Sequence, residues 1–169
     1  RAATEPGLTL PVMKTDKSTW RVTSGSARVI KVSYEIYACS PKDRTRHVDD
    51  THAFLSGATV FFYAPGRRNE SSLIHIEAPP AWKVATGLEP VDGNPRTRFA
   101  RDYDVLIDSP FEIGLHEVLT FDVAGKPHEI VIWDGSGGLK YEASRLTRDF
   151  AKIVETQGKF FRGWPYSRY

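Results

Sequence analysis

The chain holds 169 residues, enough for one ordinary domain or two small ones and for a core that takes about two-thirds of the unfolded surface out of water. Hydrophobic residues at 40% and charged residues at 26% describe a globular chain rather than a disordered one. A net charge of +2, with Arg and Lys scattered from Arg1 to Arg168, gives no concentrated basic face for nucleic acid. The longest apolar run, Val60 to Ala64, is far short of the about 18 residues a membrane span needs. Cys39 is the lone cysteine, which excludes a disulfide within the chain. The first residue is Arg1 and no signal peptide or lipidation motif follows, so the chain is expected to begin after processing or inside something longer.

The 13 glycines and 11 prolines fall between short apolar runs and predict a β-rich body. Val29 to Ala38 alternates Ile30, Val32, Tyr34 and Ile36 with Lys31, Ser33, Glu35 and Tyr37, which predicts a strand with one buried face. Ala58 to Ala64 is more continuously apolar and predicts a strand covered on both faces, ended by Pro65-Gly66. Leu73 to Ala78 predicts a third strand with Ile74, Ile76 and Ala78 inward, closed by Pro79-Pro80. Together these three suggest a sandwich sheet. Asp102 to Ile107 predicts a short helix capped by Asp102 and ended by Ser109-Pro110. Val118 to Val123 and His128 to Trp133 flank Ala124-Gly125-Lys126-Pro127 and predict a hairpin. Ala143 to Gln157 is the one clear helix, with Leu146, Phe150, Ile153 and Val154 as its stripe and Gly158 as its stop. The fold class expected is therefore mainly β, a β-sandwich-like N-terminal domain followed by a hairpin and one long helix at about 143–157.

The search for chemistry returns fragments. His116-Glu117-Val118-Leu119-Thr120 opens like a zinc-peptidase motif, but Thr120 stands where the second histidine must be, on a segment that alternates like a strand; His116 reads as a surface or loop residue. His47, His52, His75 and His128 can converge in a fold, yet isolated histidines on β segments are mostly hydrogen-bonded structural residues, and no metal site is expected. Asp102, Asp104, Asp108 and Glu112 cluster in sequence with no calcium-loop spacing, so structural roles are favoured. Gly135-Ser136-Gly137-Gly138 reads as a flexible linker, since no helix or Gly-Lys-Ser/Thr follows to make a phosphate loop. Cys39 reads as a partly buried, inert thiol, and no Gly-x-Ser-x-Gly elbow is present. Asn69-Glu70-Ser71 is a formal glycosylation sequon in a polar loop. No catalytic, cofactor-binding or metal-binding residue is assigned from these patterns.

Several stretches in order are more specific. They are Lys17 to Val22; Val32 to Ala38; Arg44-Thr45 through Asp49-Asp50 to Ala53-Phe54; Trp82 to Leu88; Phe99 to Gly114; Gly125 to His128; the helix with Asp149 and Ile153-Val154; and Phe161 to Tyr169. In order and spacing they resemble the glycyl aminopeptidase family, zinc metallopeptidases that often carry an appended PDZ domain. The resemblance implies a β-rich N-terminal domain over 1–112, lacking its first strands because the family's Trp-x-Pro-Gly-Ser-Tyr segment has no counterpart. It implies that 113–169 opens a thermolysin-like catalytic lobe, with Asp102 to Gly114 as the joint. The family's zinc-binding HExxH helix would follow Tyr169. The chain alone is thus expected to be inactive, with zinc held in the parent's catalytic domain. The implied partners are the parent's own catalytic and PDZ domains and its peptide substrate, and self-association through exposed edges is a further expectation. The compartment is left open between bacterial cytoplasm and periplasm.

Two other classes compete. A free-standing β-sandwich module for a protein or carbohydrate would use Trp20, Trp82, Trp133 and Trp164 as a binding platform. An enzyme assembled from Asp102, Asp104 and a distant histidine is the weakest alternative. Saturable ligand binding without a peptidase partner separates the first of these from the fragment reading.

Overall fold

The computed structural model describes residues 2–3, 7–39 and 45–169, and the chain divides into two compact units, Arg1–Tyr37 and Ala38–Tyr169. The first unit contains two short antiparallel pairs. β1 (Ala2–Ala3) pairs with β4 (Lys31–Val32), and β2 (Val12–Lys14) pairs with β3 (Trp20–Val22) across a turn in which Asp16 Oδ1 accepts from Ser18 N. The strand expected over Val29 to Ala38 shrinks to Lys31–Val32. Among the described residues the ladder of β4 is Lys31 against Ala3 and Val32 against Ala2. Ile30 and Val32 remain exposed.

The second unit holds the larger core. A four-stranded antiparallel sheet runs β5 (Arg46–Val48), β6 (His52–Leu55), β11 (Phe111–Gly114), β8 (Lys83–Ala85). A three-stranded one runs β7 (Ser72–His75), β10 (Asn94–Ala100), β9 (Glu89–Val91). Ala53, Val84, Phe111 and Ile113 from the first sheet meet Ile74 and Ala100 from the second, with Leu106 and Leu88 completing the cluster. The expected inward set Ile74, Ile76 and Ala78 does face this core, and Ile76 N extends the ladder to Arg96 O. β9 and β10 are joined at Asp92-Gly93, both at positive φ (51° and 71°), the backbone a two-residue hairpin turn requires.

Two arginines of β10 bind carbonyls rather than carboxylates. Arg98, only 4% exposed, donates to Val84 O, Leu88 O and Pro95 O, joining the two sheets through Val84. Burial lowers its pKa from the ordinary value. Arg96 donates to Ala78 O, Pro79 O, Pro80 O and Trp82 O and so holds the loop that enters β8.

The expected strand over Ala58 to Ala64 is instead one helical turn, α1 (Gly57–Val60), followed by a segment outside helix and sheet that carries Phe61 into the core and leaves Phe62 and Tyr63 about half exposed. The cause is tertiary. Gly57 lies against the backbone of α2 (Tyr103–Asp108), where a Cβ would stand 2.6 Å from Leu106 O. The helix α2 itself matches expectation, with Asp102 Oδ1 accepting from Val105 N at 2.8 Å as its N-cap.

The hairpin forms as expected, β12 (Glu117–Val123) against β13 (Lys126–Ile132), with the turn at Ala124-Gly125 and Asp122 Oδ1 accepting from Gly125 N. Tyr169 lies along β13 through Tyr169 N to Pro127 O and Glu129 N to Tyr169 O. The long helix α3 (Ala143–Phe161) packs on β12 and passes through Gly158 instead of stopping there. Gly158 is kept for space: its missing Cβ would sit 2.0 Å from Trp164 Cε2, and the helix ends at Arg162 in the left-handed region with Gly163 N bonded to Gly158 O. The expected stripe also splits, because Leu146 and Val154 are half-buried whereas Phe150 and Ile153 face outward beside exposed Phe160 and Phe161. No helix among the described residues is long and apolar enough to cross a membrane.

Candidate functional site

The four-stranded sheet has a second face, opposite the core. Register places His47, Phe54 and Glu112 directly opposite one another across β5, β6 and β11, and His52 lies two residues from Phe54 on the same strand. These side chains therefore share the face that Ala53, Phe111 and Ile113 do not use. His52 is opposite Gly114, and a Cβ there would stand 2.8 Å from His52 Cβ, so the glycine makes room for the imidazole. Trp133, just after β13, covers part of this face by stacking on His52 at 3.5 Å with an interplanar angle of 16°.

Asp49 organises the group from the turn between β5 and β6. Its Oδ1 accepts from Thr51 N (2.8 Å), Thr51 Oγ1 (2.6 Å) and His52 N (3.0 Å), while Oδ2 is 2.8 Å from His47 Nε2. These donors hold its carboxyl well below the usual carboxylate range, Thr51 first and His47 next. His52 Nδ1 lies 3.5 Å from Asp49 Oδ1, and the two imidazole rings are 5.1 Å apart. One donor atom from each of His47, Asp49 and His52 fits within a 4.8 Å span. Burial lowers the pKa of His52 and pushes Glu112 up to about 7, the charge on His47 opposing the latter. His47 Nδ1 and Glu112 Oε1 are both buried without a hydrogen-bond partner.

The other sequence candidates stay apart. Asp102 caps α2 and touches Arg101, while Asp104 pairs with Arg68, whose guanidinium lies over Tyr63 and Tyr103. Asp108 is exposed, and Glu112 lies a strand away on β11. His116 is not a surface residue. It sits in the loop between β11 and β12 at 2% exposure, its Nδ1 unpartnered and its carbonyl accepting from Lys83 Nζ. Glu117 starts β12, and residues spaced as a helical motif on a strand do not converge on one ion. His128 is a structural knot, with Nδ1 2.8 Å from Lys126 O and Nε2 3.0 Å from Tyr166 Oη; His75 meets Thr97 Oγ1 at the surface. Gly135 to Gly138 is an ordered turn rather than a linker, because Asp134 accepts from Ser136 N, Ser136 Oγ and Leu139 N. Cys39 is exposed, correcting the expectation of a partly buried thiol. Within the second unit the tryptophans serve three different places: Trp82 packs on the core, Trp133 on His52 and Trp164 on α3.

The convergence of His47 and His52 was legible only through register. Two histidines flanking a short Asp-containing turn become diagonal neighbours when the hairpin closes. Glu112 carried a plainer signal, a carboxylate inside the apolar run Phe111-Glu112-Ile113.

The described residues form a mainly β chain with two facing sheets, a hairpin and a following helix, with a polar cluster on an outer sheet face. The family follows from similarity to known proteins. Residues 1–115 match the Peptidase M61 N-terminal domain, and the chain belongs to that family. It is similar to a solved aminopeptidase N family protein from Idiomarina loihiensis, at 33% identity and a TM-score of 0.85, over 99% of this chain. The chain spans 29% of that protein's length. No curated protein sequence matches it.

Proposed function

We propose that this chain is the non-catalytic N-terminal region of a zinc-dependent aminopeptidase that removes small N-terminal residues such as glycine or alanine, and that it packs on and shapes the catalytic lobe. The observation that carries the reading is the M61 N-terminal match over residues 1–115 together with a likeness to an aminopeptidase family structure that extends through α3. The resemblance to glycyl aminopeptidases supplies the finer terms: the preference for small residues, the appended PDZ domain, and a division near residue 112 between the N-terminal domain and the start of the catalytic lobe.

Phe150, Ile153, Phe160 and Phe161 on the outward side of α3 support a packing role, since exposed apolar side chains on one helix are suited to burial against a further layer. The described residues of this chain do not fit a zinc-peptidase centre of the HExxH type. His116-Glu117 begins such a motif, but on a loop and a strand and with Thr120 in place of the second histidine, so no catalytic step is assigned to it.

The test joins the chain to the parent's downstream region and measures release of glycine and alanine from short peptides. The joined protein is expected to be active and chelator-sensitive, and the 169-residue chain inactive. Activity in the chain alone, or a joined protein that cleaves internal bonds and ignores chain ends, overturns the reading. Ile153→Glu in the joined protein is expected to weaken the packing, read as easier proteolysis between the two parts.

A further inference from the structure

We propose that His47, Asp49 and His52 form a binding site for one divalent transition-metal ion of the kind that imidazole and carboxylate ligands select, zinc foremost, on the outer face of the four-stranded sheet. Three observations carry it.

The first is the donor set and its spacing. Ligands around a tetrahedral zinc at about 2.0 to 2.1 Å stand roughly 3.3 Å from one another. Here His47 Nε2 to Asp49 Oδ2 is 2.8 Å and His52 Nδ1 to Asp49 Oδ1 is 3.5 Å, with all three donors inside 4.8 Å. Two imidazoles and one carboxylate suit zinc, nickel, cobalt and copper rather than calcium or magnesium, which take oxygen shells.

The second is that the ligands are held. Asp49 is fixed by three hydrogen bonds to its Oδ1, and His52, with only 6% of its side chain exposed, is clamped between the Gly114 backbone and the Trp133 ring. Asp49 itself is 36% exposed, so an ion has a path from solvent and a water can complete its shell.

The third is a pair of orphaned atoms. His47 Nε2 stands 2.8 Å from Asp49 Oδ2 while its Nδ1 is buried with no hydrogen-bond partner, and Glu112 Oε1 on the same face is also buried and unpartnered. Metal binding at Nε2 needs the lone pair there, so the imidazole proton is then carried by Nδ1. The orphaned nitrogen is then a donor on the face that also carries Glu112. Metal-bound histidines usually present their second nitrogen to a carboxylate or carbonyl. The arrangement leaves two groups unsatisfied without an ion and gives both a use with one.

The experiment uses the 169-residue chain, freed of any affinity tag and stripped with a chelator. Zinc titration by calorimetry is expected to give one ion per chain, and cobalt is expected to give the visible absorption of a low-coordinate nitrogen and oxygen site. Copper is expected to quench Trp133 selectively, an effect lost in Trp133→Phe. His47→Gln and His52→Gln are each expected to weaken zinc about 100-fold or more, since each removes a ligand where even outer partners matter 10- to 100-fold. Asp49→Asn retains an oxygen for the turn and removes the charge, so it tests the site even where a histidine variant fails to fold. His75→Gln is expected to leave affinity unchanged. Absence of stoichiometric binding, or binding of equal strength in wild type, Asp49→Asn and the folded histidine variants, overturns the proposal.

Discussion

The two faces of the four-stranded sheet are built from alternate residues of the same strands and behave as opposites. One face, with Ala53, Val84, Phe111 and Ile113, is closed by the three-stranded sheet and needs nothing but volume. The other, with His47, His52 and Glu112, is polar, partly roofed by Trp133, and carries two buried atoms with no partner. Alternation along a strand assigns residues to faces. It does not say that an outward face is solvated. β11 teaches this most clearly: Glu112 points away from the core and is still buried enough to have its carboxyl pushed up to about 7.

The contrast predicts how each face fails. Phe111→Ala, which empties a fully buried site, is expected to cost about 3 to 5 kcal/mol in urea unfolding, and a loss below about 1 kcal/mol would show that the two faces are not energetically different. Gly114→Ala forces a Cβ to 2.8 Å from His52 Cβ and 3.1 Å from Thr51 O, and is expected to cost about 1 to 3 kcal/mol while lifting His52 from Trp133, a change visible in indole fluorescence.

Glu112→Gln sharpens the comparison through pH. The folded carboxyl titrates near 7 and the unfolded one near 4.5, so the folded state binds more protons between those values. Stability of the metal-free protein therefore falls as pH rises from 4.5 through 7 and levels off above. Discounted for the solvent that still reaches the group, the step is about 1 to 2 kcal/mol. The glutamine variant is expected to lack it, being more stable than wild type at pH 8 and nearly equal at pH 5 in parallel urea titrations. Smallest is Gly135→Ala, whose Cβ would meet Trp133 Cη2 at 2.4 Å. The indole is 39% exposed and can swing outward, so stability is expected to change by less than about 0.5 kcal/mol while Trp133 emission shifts toward that of a solvated ring.

Local chemistry was readable wherever it was self-sufficient. The Asp102 cap, the hairpin around Ala124-Gly125 and the inward set Ile74, Ile76 and Ala78 need only their own segments, and all three stand as expected. What sequence could not supply was the partner. Ala58 to Ala64 turns because α2 presses on Gly57, and Gly158 has the look of a stop only until Trp164 fills the space it leaves. Phe150 and Ile153 lie in the expected helix and face outward, because periodicity finds a stripe without saying which part of it the nearest strand can cover. The histidines of the candidate site fall in the same class. His47 and His52 meet through hairpin register, and the burial of His116 depends on what surrounds a loop.

Arg96 and Arg98 have a consequence for the conditions the second unit can withstand. Their partners are seven main-chain carbonyls, which neither titrate nor attract a competing shell of counterions as a carboxylate does. Concentrated salt weakens exposed ion pairs such as Arg68 with Asp104 and Arg145 with Asp149. The seam between the two sheets is indifferent to it, so brine should loosen the periphery of this unit well before it parts its centre.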